Sequence, residues 1–137
     1  MIHYEERGHV GLVTIDRQER RNALSGPLCV ELRERVAASY GMRAVVITGA
    51  GSAFCAGADL VTRFGPDSAA EAGHGGDTFR PAFEKVLDAI VDHPSPVIAA
   101  INGPAIGAGM QLAVACDLRV AALGALSRSP AGSWGYT

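Results

Sequence analysis

Charged residues are scarce in this sequence of 137 amino acids. Lysine and arginine number 12 and aspartate and glutamate 14, so only 19% of the residues are charged and the net charge is −2. A protein that binds nucleic acid through its phosphates carries an excess of positive charge, which is lacking here. Hydrophobic residues make up 48%, too many for a disordered chain. The composition therefore predicts one folded domain and excludes a nucleic-acid partner.

Cysteine and histidine are also few. Cys29, Cys55 and Cys116 are odd in number and widely spaced, without a Cys-x-x-Cys pair, and the four histidines form no His-x-x-x-His pair. This spacing excludes a disulfide framework and predicts no metal site. Unpaired thiols are typical of the reducing cytoplasm, where we expect the protein.

Long hydrophobic runs are missing as well. No stretch approaches the ~18 apolar residues of a membrane span. The first ten residues, MIHYEERGHV, carry acidic side chains where a signal peptide would be apolar. We therefore expect neither a membrane-spanning segment nor a secretory leader.

Hydrophobic periodicity predicts five strands and three helices. Ser25 is expected to cap the first helix, in which Leu28, Leu32 and Val36 share one apolar face and Glu31 is spaced to pair with Arg35. A polar, glycine-rich stretch, 64–77, reads as a loop. Strands 44–48 and 97–101 are short continuous apolar runs, typical of strands buried on both faces. The remaining predicted elements are strands 2–6, 10–15 and 117–121 and helices at about 78–91 and 106–116.

Glycine-rich turns follow two of these strands, and each leads towards a predicted helix. Parallel strands joined by crossover helices make the fold class α/β. The first turn, VVITGAG, is similar to the opening of a dinucleotide-binding motif, but Phe54 occupies the position of that motif's third glycine. A nucleotide-binding module therefore remains only as an alternative.

Three short motifs occur in order along the chain. They are Arg21-Asn22-Ala23-Leu24, then Ala56-Gly57-Ala58-Asp59-Leu60, and then Asn102-Gly103-Pro104-Ala105-Ile106-Gly107-Ala108-Gly109, followed by Leu112-Ala113 and Cys116-Asp117. Together they resemble the signatures of the crotonase superfamily, the enoyl-CoA hydratase/isomerase family. The resemblance implies a crotonase-like β-β-α spiral core, of the ClpP/crotonase type, and a role in fatty-acid metabolism.

The resemblance also implies which residues meet an acyl-CoA thioester. The backbone amides of Ala58 and Ala108 would form an oxyanion hole, which stabilises the negative charge that develops on the thioester oxygen. Asp59 is expected to cap the short helix that follows the turn rather than to act as a base. CoA is the expected ligand and no cofactor is permanently bound; the implied CoA-contacting residues are Arg21, Ala23, Leu24, Ala56, Ala58, Asp59, Leu60, Gly107 and Ala108.

Two positions depart from the family pattern. Hydratases of the family use two glutamates for acid–base catalysis, and the corresponding positions here hold Gln111 and Ala131, the latter directly after Pro130. Glutamine can hold a water molecule but cannot take its proton. The sequence therefore resembles a lyase whose hydratase chemistry is in doubt, and its retained function would be the binding of acyl-CoA.

Length is the last departure. Family members are much longer and continue with C-terminal helices that build trimers, so the expected piece is a truncated N-terminal half. Residues 1–122 would form the first part of the domain, and residues 123–137 an atypical tail. The trimer is accordingly in question, and a non-functional remnant is the alternative to an acyl-CoA-binding protein.

Overall fold

Five strands form the larger of two sheets in the computed structural model, which describes residues 1–61, 78–128 and 134–136, with backbone only for 126–128 and 134–136. β1 and β2 are an antiparallel hairpin, and β2, β3, β4 and β6 run parallel in the order β1-β2-β3-β4-β6. The predicted α/β class with parallel strands is confirmed. The strands are β1 (Ile2–Arg7), β2 (Val10–Ile15), β3 (Ala44–Gly49), β4 (Val97–Ile101) and β6 (Leu118–Ala121).

A second, three-stranded sheet was not predicted. It consists of β5 (Ala105–Ile106), β7 (Leu126–Arg128) and β8 (Trp134–Tyr136), in the order β5-β7-β8. β5 pairs with β7 in parallel, and β7 with β8 antiparallel. Strands this short carry almost no periodicity, so hydrogen bonds to neighbouring segments decide their conformation. Two of them lie within the stretch 123–137 that was expected to be an atypical tail.

Within the described residues, three α-helices of eight residues or more accompany the sheets: α1 (Gly26–Ala38), α2 (Phe79–Val91) and α3 (Ala108–Ala115). The Ser25 Oγ accepts a hydrogen bond from the Leu28 amide at 3.3 Å, which confirms the predicted cap of α1. The prediction that a helix begins at Ile106 was wrong, because Ile106 belongs to β5 and its amide donates to the Cys55 carbonyl at 3.0 Å. The predicted loop 64–77 lies outside the described residues.

The hydrophobic core lies between one face of the large sheet and the helices. Alternate strand residues such as Val45, Ile47 and Ala99 are fully buried, together with Leu32 and Val36 of α1 and Phe83 and Val86 of α2. The intervening residues Val46 and Ile98 are only partly covered. The prediction that β3 and β4 are buried on both faces was therefore wrong for the described residues, because helices α1 and α2 pack on one face only.

The predicted ion pair between Glu31 and Arg35 was also wrong. The Glu31 Oε1 instead accepts a hydrogen bond from the backbone amide of Ile2 at 2.9 Å, where β1 begins beside α1. A partly buried amide needs an acceptor, and a bond to a carboxylate is stronger than an exposed ion pair along a helix. Glu31 therefore ties the first strand to the first helix.

Candidate functional site

Three connecting segments meet at one edge of the large sheet. The segment 17–24 follows β2, the first glycine turn (49–60) follows β3, and the second glycine turn (102–109) follows β4. Because β2, β3 and β4 are parallel neighbours, their C-terminal ends lie at the same edge. The topology thus brings together all three motifs that were singled out in the sequence.

The carbonyl of Ala53 joins all three segments. Asn22, which is fully buried, donates to it through Nδ2 at 2.8 Å, and Asn102 donates to it through Nδ2 at 3.1 Å. The Asn22 Nδ2 also bonds to the Ala50 carbonyl, and the Asn102 Oδ1 accepts from the Gly49 amide. The two signature asparagines therefore hold the first glycine turn from either side.

The segment around Ala58 pairs with the first motif. The Leu24 amide donates to the Gly57 carbonyl at 2.7 Å, and the Asp59 amide donates to the Leu24 carbonyl at 2.8 Å. The peptide between Gly57 and Ala58 is trans, so its N–H points opposite to its C=O. Since that C=O points at Leu24, the amide hydrogen of Ala58 points away from Leu24.

The second glycine turn packs closely on the first. The Cys55 amide donates to the Pro104 carbonyl at 3.2 Å, and Cys55 pairs with Ala105 as an isolated parallel bridge. A Cβ atom at Gly109 would overlap the carbonyl of Cys55, so only glycine allows this approach. Gly57 has a φ of +100°, and a Cβ there would lie 2.8 Å from the Ile106 carbonyl oxygen. Both glycines are thus required by contact between the turns.

The amide of Ala108 is the second donor that the sequence pointed to. The carbonyl of Gly107 accepts from the amides of Met110 and Gln111, both at 3.1 Å, so it points into α3 and the N–H of Ala108 points out of the helix N-terminus. An ideal Cβ position on Gly57 is 3.5 Å from the Ala108 nitrogen. The peptides that carry the Ala58 and Ala108 amides therefore adjoin each other.

Neither of these two amides has an acceptor within the described residues. Ala58 and Ala108 are both partly exposed, so a ligand can reach them. Buried or half-buried backbone amides are nearly always satisfied in folded proteins. Two adjoining amides without acceptors, one of them at a helix N-terminus, are suited to an oxygen that carries negative charge.

The other predicted CoA-contacting residues lie around these amides with different exposures. Arg21 is exposed, with a φ of +50°, and Leu60 is 62% exposed. Ala23 and Leu24 are buried, and Ala56 and Gly107 are partly exposed. The Ala56 amide donates to the Arg21 carbonyl at 3.0 Å, which joins the first two motifs.

Both carboxylate oxygens of Asp59 make polar contacts. Its Oδ1 accepts from the Val61 amide at 3.1 Å, the bond expected of a cap at the start of the short helix. Its Oδ2 is 2.8 Å from the Nη2 of Arg17, and the Asp59 side chain is only 4% exposed. Sequence reasoning missed Arg17, because no local pattern links it to an acid so far along the chain.

Gln111 lies one turn into α3 from Ala108 and is exposed. Its amide side chain can hold a water molecule by hydrogen bonds but cannot accept its proton. Ala131, the second position of a family glutamate, and Pro130 lie outside the described residues. Groups of His, Cys, Asp or Glu that could hold a metal ion are not found in the described parts of the chain.

Cys55 lies beneath the two turns. It is fully buried, and burial raises the pKa of its thiol to about 12. The Gly57 amide is 3.4 Å from its Sγ and donates a weak hydrogen bond. The same effect of burial raises the pKa of Cys29 and of Cys116 to about 12. The thiol of Cys55 is therefore protonated at neutral pH and supports the turn by packing.

The first glycine turn is not a dinucleotide-binding turn. Phe54, at the position of the third glycine in such a motif, is fully buried in the core. Residues 55–59 continue as an extended segment paired with Leu24 and Ala105, where a dinucleotide-binding unit would begin its helix. This arrangement contradicts the alternative of a nucleotide-binding module. Among the described residues no helix combines the length and apolar character needed to cross a membrane.

The chain is similar to curated proteins named as enoyl-CoA hydratases. A probable enoyl-CoA hydratase of Mycobacterium tuberculosis is 42% identical over 98% of this chain and 52% of its own length. A probable enoyl-CoA hydratase of Rhodobacter capsulatus is 42% identical over 88% of this chain and 46% of its own. The chain thus spans about half the length of these curated relatives.

Solved structures agree on the fold. A probable enoyl-CoA hydratase/isomerase of Mycobacterium abscessus superposes with a TM-score of 0.78 at 35% identity, over 93% of this chain and 49% of that one. A Pseudomonas aeruginosa protein superposes with a TM-score of 0.81 at 33% identity, over 93% and 55%. The family model for enoyl-CoA hydratase/isomerase matches residues 5–132. With three signature motifs at one sheet edge and a match over nearly its whole length, the chain belongs to the enoyl-CoA hydratase/isomerase family and has the crotonase fold.

Proposed function

We propose that this chain binds acyl-CoA thioesters in fatty-acid metabolism. The observation that carries the proposal is the pair of adjoining amides of Ala58 and Ala108, both partly exposed and without acceptors in the described part of the chain. A thioester carbonyl oxygen placed between them would accept two hydrogen bonds at the N-terminus of α3. Both side chains are methyl groups, which leave the amides open to the ligand.

The CoA moiety would lie against the first motif and the turn before Leu60. Arg20 and Arg21 are exposed beside this surface, and their guanidinium groups would bind the phosphate groups of CoA. Leu60, at 62% exposure, offers apolar surface to the pantetheine chain. These contacts would give the chain affinity for CoA itself, to which the two amides add affinity for the thioester.

Hydration of an enoyl-CoA is not part of the proposal. It requires a carboxylate that activates water, and the helix position next to the amides holds Gln111. We infer that the thioester is bound and its carbonyl polarised, without water being added. The resemblance to a lyase therefore rests on the relatives' names, and no catalytic carboxylate among the described residues supports it.

The test distinguishes the contribution of the thioester carbonyl to the affinity from that of the rest of the ligand. Calorimetry is performed with CoA, with acetyl-CoA, and with S-ethyl-CoA, a thioether that lacks the carbonyl. We expect acetyl-CoA to bind roughly three- to tenfold more tightly than S-ethyl-CoA for each hydrogen bond that its carbonyl gains. Equal affinities for the two ligands would contradict the role of the amides, and failure to bind CoA would contradict the proposed function altogether.

A variant at Ala108 removes one amide hydrogen directly. Ala108 is the first residue of α3, the helix position that best tolerates proline, so Ala108→Pro deletes the N–H with little damage to the helix. We expect Ala108→Pro to retain its affinity for CoA and to lose most of the preference for acetyl-CoA over S-ethyl-CoA. Ala108→Val, which keeps the N–H and adds similar bulk, is the matched control.

A further inference from the structure

The ion pair between Arg17 and Asp59 lies beside the candidate site, with the Asp59 carboxylate buried and Arg17 partly exposed. The Arg17 Nη2 and Asp59 Oδ2 are 2.8 Å apart, with side-chain exposures of 22% and 4%. A buried ion pair contributes little to stability compared with apolar side chains of the same size. A geometric role therefore accounts for this pair better than a contribution to stability does.

Arg17 is itself fixed by the first motif. Its backbone amide donates to the Asn22 Oδ1 at 2.8 Å, and its Nη1 donates to the Ala23 carbonyl at 3.2 Å. The guanidinium plane is thus held by Ala23 on one side and directed at Asp59 on the other. The planar guanidinium holds its donors in fixed directions, so it can contact Ala23 and Asp59 at once. A lysine has a single ammonium group at the end of a flexible chain and cannot fix both directions.

Asp59 connects Arg17 to the neighbouring peptide, which carries the Ala58 amide. Its amide donates to the Leu24 carbonyl at 2.8 Å, and its Oδ1 accepts from the Val61 amide at 3.1 Å. The residue is therefore held through its main chain on the side of Leu24 and through its carboxylate by Arg17. Ala58 directly precedes it, and its N–H points to the opposite side of the segment.

We propose that Arg17 is a positioning residue, which acts through Asp59 to fix the direction of the Ala58 amide towards the thioester carbonyl. This inference rests on the proposed function. Hydrogen bonds weaken steeply with distance and angle, so a small rotation of the peptide before Ala58 would remove its contribution. Arg17 need not touch the ligand for this effect.

The experiment measures the ratio of the dissociation constants of S-ethyl-CoA and acetyl-CoA in variants of the pair. Arg17→Gln removes the charge, and Asp59→Asn keeps the size and the acceptor for Val61 while removing the ion pair. We expect each variant to lower the ratio by roughly three- to tenfold, the value of one hydrogen bond, while Arg17→Gln leaves the affinity for CoA within about twofold of the wild-type value. The double variant is expected to lower the ratio no further.

A spectroscopic readout accompanies the affinities. The infrared carbonyl stretch of bound, carbon-13-labelled acetyl-CoA should shift to lower frequency in the wild-type protein, and it should move back towards the free value in both variants. If the Arg17→Gln variant does not fold, Arg17→Lys takes its place, because lysine retains the positive charge beside Asp59. It is expected to give an intermediate ratio, because the bond to the Ala23 carbonyl is lost.

Arg80→Gln is the control, since it breaks the exposed pair between Arg80 and Glu84 on α2, away from the turns. A folded Arg17 or Asp59 variant with an unchanged ratio and an unchanged carbonyl stretch would overturn the inference. If Ala108→Pro still lowers the ratio in that case, the proposed function stands and only the positioning role fails. If the wild-type ratio is itself close to one, both fail.

Discussion

Gln111 lies one helical turn from the Ala108 amide, at which the proposed function places the thioester carbonyl. Its identity was read from the sequence, and the structure adds that it is exposed and that its backbone continues α3 normally. Its side chain is neutral, so it cannot accept a proton from water as a carboxylate would. Single residues of this kind are predictable from sequence once the motif register is known.

We predict that crotonyl-CoA is not hydrated by this chain above the level of a Gln111→Ala variant. A general acid or base typically contributes ~10²–10⁴-fold to the rate, so its loss should leave a rate close to background. Hydration is followed by the loss of absorbance of the conjugated thioester. Turnover by the wild-type chain well above that of Gln111→Ala would show that Gln111 itself takes part in catalysis. Equal turnover by both proteins, well above the uncatalysed rate, would show that another residue supplies the missing carboxylate function.

Arg17 and Asn22 make side-chain contacts that could not be predicted from the sequence alone. Asn22 belongs to a recognised motif, but its bonds to the carbonyls of Ala50 and Ala53 depend on segments that are distant in the chain. Arg17 belongs to none of the motifs singled out, and its partner Asp59 follows a different strand. Pairings between separate loops leave no periodic or local signal, so only the folded structure reveals them.

The buried thiol of Cys55 gives the stability a dependence on pH. The pKa of this thiol is raised to about 12 in the folded chain from an ordinary value of 9.0. The unfolded state therefore loses the proton first, so the stabilisation is complete below pH 9 and is lost as the pH rises towards 12. At pH 10 we expect a loss of about 1 kcal/mol from this thiol.

Urea unfolding at pH 8 and pH 10 measures this loss, with Cys55→Ala as the comparison. Because tyrosine and lysine side chains also titrate in this range, the informative quantity is the difference between the two proteins. The wild-type chain should lose more stability than Cys55→Ala does. Equal losses would mean that the folded thiol is accessible to solvent and ionises normally.

α1 and α2 were predicted because their apolar residues recur at helical spacing, and the strands β2, β3 and β4 were predicted because each is a short apolar run. The register is confirmed by Leu32 and Val36 of α1, which are fully buried. The start of α3 was placed too early, since Ile106 pairs with Arg128 in the small sheet before the helix begins. Close packing between two turns, rather than helix propensity, sets that boundary.

The variant Gly109→Ala distinguishes the effect of close packing between the two turns from the effect of helix propensity. In the interior of a helix, alanine in place of glycine is favourable by about 1 kcal/mol. In this structure a Cβ at Gly109 overlaps the backbone carbonyl of Cys55, which cannot move without displacing the first glycine turn. We therefore predict a destabilisation of about 1–3 kcal/mol, the range found for overpacked sites, measured by urea unfolding.

Gly41→Ala serves as its control, because a Cβ at Gly41 meets nothing within 4 Å. That variant should change the stability by less than about 0.5 kcal/mol, as surface substitutions generally do. An increase in stability for Gly109→Ala would mean that the two turns are less tightly packed than the structure shows.

The chain as a whole leaves apolar surface at one edge of the large sheet. β6 is the last strand of that sheet in the described residues, and Leu118 and Val120 on it are 58% and 65% exposed. These side chains share a face with the partly covered Ile98 and Ala100 through the register of β4 and β6. An unpaired strand edge with apolar side chains favours pairing with another chain.

We predict that the chain self-associates through this edge as its concentration rises. Val120→Lys should lower light scattering at high concentration, because a charge on an edge strand opposes pairing with another strand. Val30→Lys on α1 is the control, since Val30 is exposed to a similar degree, 47%, but lies away from the sheet edge. A wild-type chain that stays monomeric at high concentration, or equal effects of the two variants, would contradict this prediction.

The joint donation of Asn22 and Asn102 to the Ala53 carbonyl has a consequence for the order of events during synthesis. These bonds span 31 and 49 residues, so neither can be replaced by a local turn. Contacts of such separation form late, after the intervening chain has been ordered. A nascent chain must release Asn102 from the ribosome before the first glycine turn is held from both sides. Affinity for the thioester carbonyl should then appear abruptly, and ligand binding would report the completion of folding of this part of the chain.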